Sequence, residues 1–119
     1  MSHLVSIKTE VRDLLAIRST CRRLQLREPY EDTVQLFGEP ATGVVVDLPD
    51  WRYPIVCEIG TGKIRYDNFQ GRWGSETQLH RFLQFYAVEK AALEARREGH
   101  SVQESVLSDG SIRLQIAVS

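Results

Sequence analysis

Side chains that bind metals, attack electrophiles or carry protons are the first to weigh. His3, His80 and His100 are scattered along the chain, and the cysteines are Cys21 and Cys57. Neither a C-x-x-C nor an H-E-x-x-H spacing occurs, so no metal site is expected. Asp47, Asp50, Glu58 and Asp67 lack the spaced oxygen ligands of a calcium loop and read as solvated or turn-forming carboxylates. Cys57 would need a base beside it to act as a nucleophile, and His80 is the candidate. A small enzyme with a pocket near Cys57, Glu58 or His80 is therefore one alternative. Strand alternation sets Cys57 and Glu58 on opposite faces, which counts against a shared pocket. No G-x-S-x-G elbow is present. Gly60-Thr61-Gly62-Lys63 imitates the tail of a phosphate loop, but Cys57 and Ile64 stand where glycine and Ser/Thr are required. Those glycines fit a hairpin turn instead. No cofactor is called for, and the reading leans away from an enzyme.

Rings interleaved with cations are the stronger signal. Trp51, Tyr53, Tyr66, Asp67, Asn68, Phe69, Arg72 and Trp73 form a candidate interaction surface. Aromatic residues and arginine are common interface anchors, and Arg72 and Asp67 would add polar specificity. The competing account is structural: the rings plug one end of the core, and Asp67-Asn68 caps a turn. Single-stranded nucleic acid is another alternative, with the rings stacking on bases and the interleaved Arg52, Arg65 and Arg72, joined by Arg18, Arg22, Arg23 and Arg27 of the first helix, reaching phosphates. No ribonucleoprotein, KH or zinc signature accompanies that pattern. The expected partner is thus a protein or a second copy of the chain, with nucleic acid less supported and no membrane.

The elements that position these residues follow from periodicity. Leu4–Val11 alternates as a strand, with Val5, Ile7, Thr9 and Val11 on one side. Asp13 caps a helix whose stripe is Leu14, Leu15, Ile17, Cys21 and Leu24, ending before Pro29. Strands are expected over 33–37, 42–48, 54–59 and 63–66, with a turn at Pro49-Asp50 and a glycine-containing loop over 68–74. Ser75 and Gln78 make a capping box, and Leu79, Phe82, Leu83, Tyr86, Ala87 and Ala91 set the apolar face of a helix of about 23 residues ending at Gly99. A final hairpin turns on Asp109-Gly110 as a two-residue type I′ loop. The order β-α-β-β-β-β-α-β-β implies an α+β fold, a mostly antiparallel sheet with two helices packed on it, over residues 1–119 as one domain.

Composition narrows the classes. Fifteen Lys+Arg against sixteen Asp+Glu give a net charge of −1, so no global pull on nucleic acid or anionic membrane is expected. No apolar run approaches the roughly 18 residues of a membrane span, and the N-terminal residues lack a secretory pattern. Cytoplasmic placement with both cysteines reduced is the expectation.

The run Tyr66-Asp67-Asn68-Phe69-Gln70-Gly71-Arg72-Trp73-Gly74, followed by Leu79, Phe82-Leu83, Tyr86-Ala87-Val88 and Lys90-Ala91, resembles a known family. Met1-Ser2-His3 with Ile7-Lys8-Thr9 fits its opening. Glu94-Ala95-Arg96-Arg97, Gly99-His100-Ser101-Val102 and Asp109-Gly110-Ser111-Ile112 fit its end. It is the conserved open-reading-frame family numbered thirty-five of plastid and cyanobacterial genomes, also known as the domain of unknown function twelve fifty-seven. The resemblance is most specific over 66–118 and weaker over 28–62. It implies membership and carries over no catalytic residue.

Overall fold

The computed structural model describes residues 4–8 and 10–118. Its elements are β1 (Leu4–Lys8), α1 (Leu14–Arg23), β2 (Tyr30–Leu36), β3 (Glu39–Val46), β4 (Ile55–Glu58), β5 (Lys63–Asp67), α2 (Glu76–Arg97), β6 (Ser101–Val106) and β7 (Ile112–Ala117). The order is the expected one. Strands β1 to β5 form one antiparallel sheet in the order β1-β5-β4-β3-β2, while β6 and β7 pair only with each other among the described residues. His3 and Thr9 lie outside the described residues, as do the side chains of β1.

Both helices cover one face of the five-stranded sheet. Val44, Val46, Ile55, Cys57, Ile64 and Tyr66 meet Ala16, Ile17, Cys21, Leu79, Phe82 and Tyr86 in a single buried cluster. Asp13 caps α1 by accepting from Ala16 N–H (3.2 Å). The Tyr86 hydroxyl accepts from the backbone N–H of Arg12 and of Asp13, both at 3.1 Å, so α2 holds the entry to α1. Leu15, expected in the stripe, is 52% exposed, and Thr20 is buried in its stead. Thr20 is accommodated because its hydroxyl donates to Ala16 O (2.7 Å).

The second helix starts at Ser75 as expected, but not through the expected capping box: the hydroxyl accepts from Thr77 N–H, and Gln78 N–H donates to the Ser75 backbone carbonyl. It ends in a Schellman turn: Gly99 (φ 83°) donates to Arg96 O and His100 to Ala95 O. The buried side chains include Leu79, Phe82, Tyr86, Val88, Ala92 and Ala95. Ala87, expected on the apolar face, is exposed because the buried stripe passes through Val88.

The final hairpin differs from its expected turn. Val106 pairs with Ile112, and Leu107 N–H donates to Ser111 O (2.9 Å). The loop proper is Ser108-Asp109-Gly110, a type I turn closed by a left-handed Gly110 (φ 87°). A type I′ turn needs positive φ at Asp109 as well, and Asp109 does not adopt it. Its carboxylate instead accepts from Ser111 N–H (2.9 Å).

Candidate functional site

The loop after β5 is the least ordinary stretch of backbone. Phe69 (φ 48°), Gln70 (φ 54°) and Gly71 (φ 93°) are successively left-handed. For the two non-glycine residues this costs about 1–2 kcal/mol each, so neighbours must hold the turn in place. Asn68 does much of this. Its backbone carbonyl accepts from Gly71 N–H (3.0 Å) and Trp73 N–H (2.8 Å), and its buried amide donates to Gly74 O (3.3 Å). Asp67, fully buried, accepts from Phe69 N–H through Oδ1 (3.3 Å), while its Oδ2 has no hydrogen-bond partner among the described residues. Gly74 is required on steric grounds, since a Cβ there would fall 2.3 Å from the Trp51 ring.

Held this way, the loop lays rings over the sheet face opposite the helices. Leu36, Ala41 and Val56 are buried on that face, with Val34 and Tyr53 against them. Trp73 packs edge-on to Tyr53 (centroids 5.6 Å) and Phe37 (5.2 Å), and tilts on Phe69 (4.7 Å). The Arg52 guanidinium lies 4.9 Å from the Trp73 ring centre, and that of Arg72 lies 5.1 Å from the centre of Phe69. A backbone bond from Arg52 N–H to Trp73 O (2.7 Å) ties the two segments together.

The expected surface is thereby divided. Trp51 and Tyr66 pack on each other on the helix side, with the Trp51 indole donating to Ser75 O (3.0 Å). Burial raises the Tyr66 phenol above its ordinary pKa, with a smaller push from Glu76. Tyr66, Asp67 and Asn68 are buried, whereas Tyr53, Phe69 and Trp73 are half-buried and Arg72 is exposed. Phe37 and Arg52 join the exposed group. The signals for them were an aromatic beside Gly38 at a hairpin tip and a cation flanked by two rings.

The other candidates are scattered. Arg23 is clasped by Glu104 (2.8 and 2.7 Å) and reaches Glu89 (3.3 Å), and Arg27 faces Asp47 (3.6 Å). Arg18 and Arg22 are exposed. His80 is exposed on α2, and Cys57 is fully buried with its thiol pushed up to about 12, by burial first and by Cys21 second. Burial also raises Cys21 to about 11, with Asp47 adding to the effect. Thiols so placed stay protonated at neutral pH and are poor nucleophiles. A groove of about 370 Å³ does border Cys57, lined also by Glu31, Thr33, Thr42, Val44 and Ile59, but it holds no histidine. Glu58 lies on the far side of the sheet beside Arg65, Oε2 to Nε 2.9 Å. The turn at Gly60–Gly62 offers Arg12 its carbonyls, with Nη1 3.4 Å from Gly60 O and Nη2 3.3 Å from Thr61 O. That is the opposite polarity to a phosphate cradle. No group of three or more metal-ligating side chains occurs among the described residues.

Fold and site together define a class: an α+β protein whose sheet carries helices on one face and a ring-and-guanidinium cluster on the other. The chain matches no family model, no curated protein and no solved structure. Among the described residues no helix is long and apolar enough to cross a membrane.

Proposed function

We propose that the protein is a non-catalytic accessory that binds another protein through Phe37, Arg52, Tyr53, Phe69, Arg72 and Trp73. The left-handed turn at Phe69–Gly71 carries this reading. Backbone held in a costly conformation tends to cluster where a surface must be presented in one shape, and here it presents two rings and a cation. Arg52 and Arg72 lie on ring faces with no carboxylate partner among the described residues, so the partner that suits them carries carboxylates beside apolar side chains. Cytoplasmic placement belongs to the same reading, in keeping with free, buried Cys21 and Cys57.

Nucleic acid is the second reading, favoured by cations stacked on half-buried rings. It is weakened by the commitment of Arg23 and Arg27 to carboxylates. One experiment separates the two. The wild-type chain and the Arg52→Glu/Arg72→Glu variant are used to capture partners from native cells, and affinity for the captured protein is then measured. At least a tenfold loss of affinity in the variant, with unchanged circular dichroism, is expected. Equal affinity overturns the proposal, as does steeply salt-dependent binding of RNA or single-stranded DNA in place of a protein.

A further inference from the structure

The β6–β7 ribbon carries apolar side chains in the open. Among the described residues the exposed large apolar side chains are Leu15, Phe37, Val106 (74%), Leu107, Ile116 (44%) and Val118 (77%). All but the first two lie in the ribbon or beside it. A lone pair of strands is marginal in water, and three or more strands with an apolar face are needed for independent stability. The ribbon leans on the helices through the clasp of Glu104 by Arg23 and a bond from Gln84 Nε2 to Gly110 O (3.4 Å). Its edges carry none of the prolines or lysines that blunt exposed strands.

The ladder shows which groups face outward. The bond from Leu107 N–H to Ser111 O sets the alternation. In the pairs Ser105–Arg113, Gln103–Gln115 and Ser101–Ala117 the backbone groups therefore point at each other. Those of Ile112, Leu114 and Ile116 point away, along the free edge of β7.

We propose that this edge pairs with the same edge of a second copy, antiparallel about a two-fold axis at Leu114, to make the four-stranded sheet β6-β7-β7-β6. The strand is its own complement in this register. Leu114 meets its equivalent, and Ile112 of one copy meets Ile116 of the other, so every outward N–H of these residues finds a carbonyl. Arg113, the one charge on β7, meets Gln115, so no like charges oppose. A register centred on Arg113 would set two guanidiniums face to face. The apolar row Ile112, Leu114, Ile116 runs unbroken into Val118, whereas the β6 row of Val102 and Val106 is interrupted by Glu104, which Arg23 already holds. A net charge of −1 adds little repulsion between copies.

Sedimentation of the full chain between 1 and 100 μM, a range of about two decades, tests this against the micromolar affinities of ordinary interfaces. A dimer is expected, weakened at least tenfold by Ile116→Lys and less by Val118→Lys, which lies past the end of β7. The Arg113→Cys/Gln115→Cys variant should form intermolecular disulfides under mild oxidation, because the register brings these positions together across the axis. A chain that stays monomeric at the top concentration overturns the proposal, whatever other protein it binds. A dimer indifferent to both lysine variants, or one that the paired cysteines fail to cross-link, also overturns it. Circular dichroism of each variant separates loss of pairing from loss of fold.

Discussion

The outer face of the five-stranded sheet and the β6–β7 ribbon are built from similar strand chemistry and finished in opposite ways. Beneath the first, Leu36 and Val56 are fully buried, because Tyr53 packs on them and Trp73 packs on Tyr53. Val106, Ile116 and Val118 on the second have no such cover among the described residues. Closing a sheet face takes a loop that reaches back across it, and the segment after β5 supplies one at the cost of a left-handed turn. The closed face buries apolar side chains beneath rings that are themselves half-exposed, whereas the ribbon leaves its apolar side chains bare.

Replacing one apolar side chain in each region gives the largest contrast. Leu36→Ala should lower unfolding free energy by about 2–5 kcal/mol, the range for a buried leucine. Val106→Ala should change it by no more than about 0.5 kcal/mol, as for an exposed site. Equal effects in denaturant titrations would break the distinction.

The closing loop gives a smaller effect of unusual sign. Gln70 is exposed and left-handed, so Gln70→Gly should raise stability by up to about 1–2 kcal/mol by relieving strain, less the entropy glycine adds to the unfolded chain. Binding of the partner through the ring cluster should weaken in the same variant if the held turn is what presents Phe69 and Arg72. Thermal melts and affinity measured together check both halves.

The smallest effect belongs to the ribbon's tie to the helices. The hydrogen bonds from Arg23 hold the Glu104 carboxyl below its ordinary pKa, despite partial burial that works the other way. A carboxylate lowered on folding stabilises above its unfolded pKa, about 4.3 for glutamate, and that contribution is lost as pH falls through the folded value. As pH falls below about 4.3 and through the lower folded value, then, the amides of β6 should lose protection against hydrogen exchange by up to about 1 kcal/mol, the range of such a pair. Glu104→Gln should remove that step in the pH profile while leaving the change contributed by Asp13. The Asp13 carboxyl is also lowered, with burial opposing and the Ala16 N–H, Lys90 and Arg97 prevailing.

Elements that end on local chemistry were legible in the sequence. Asp13, Ser75 and Gly99 each act within a turn of where they stand, and the helix limits follow from them. The Pro49-Asp50 turn is also where expected, with Trp51 N–H donating to Leu48 O. What depended on distant neighbours was not legible. Whether Leu15 or Thr20 is covered is set by where α2 and the sheet lie. Trp51 and Tyr53 were grouped by proximity, yet they pack on opposite sides of the sheet because the chain bends at Arg52-Tyr53 instead of running on as a strand. The bareness of the ribbon was hidden too, since its alternation reads like that of any half-buried hairpin.

Strands β2 to β5 each pair with their sequence neighbour, but β1 pairs with β5, bringing Leu4 beside Asp67. Short loops close quickly and long ones slowly. The four-strand meander can therefore assemble while β1 still searches for its place. Once docked, β1 is followed by Val11, whose N–H bonds to Gly62 O, and by the stretch at Arg12 and Asp13 that Tyr86 holds. By this topology the segment before α1 is expected to latch last, so that its closure sets the time the whole chain takes to fold.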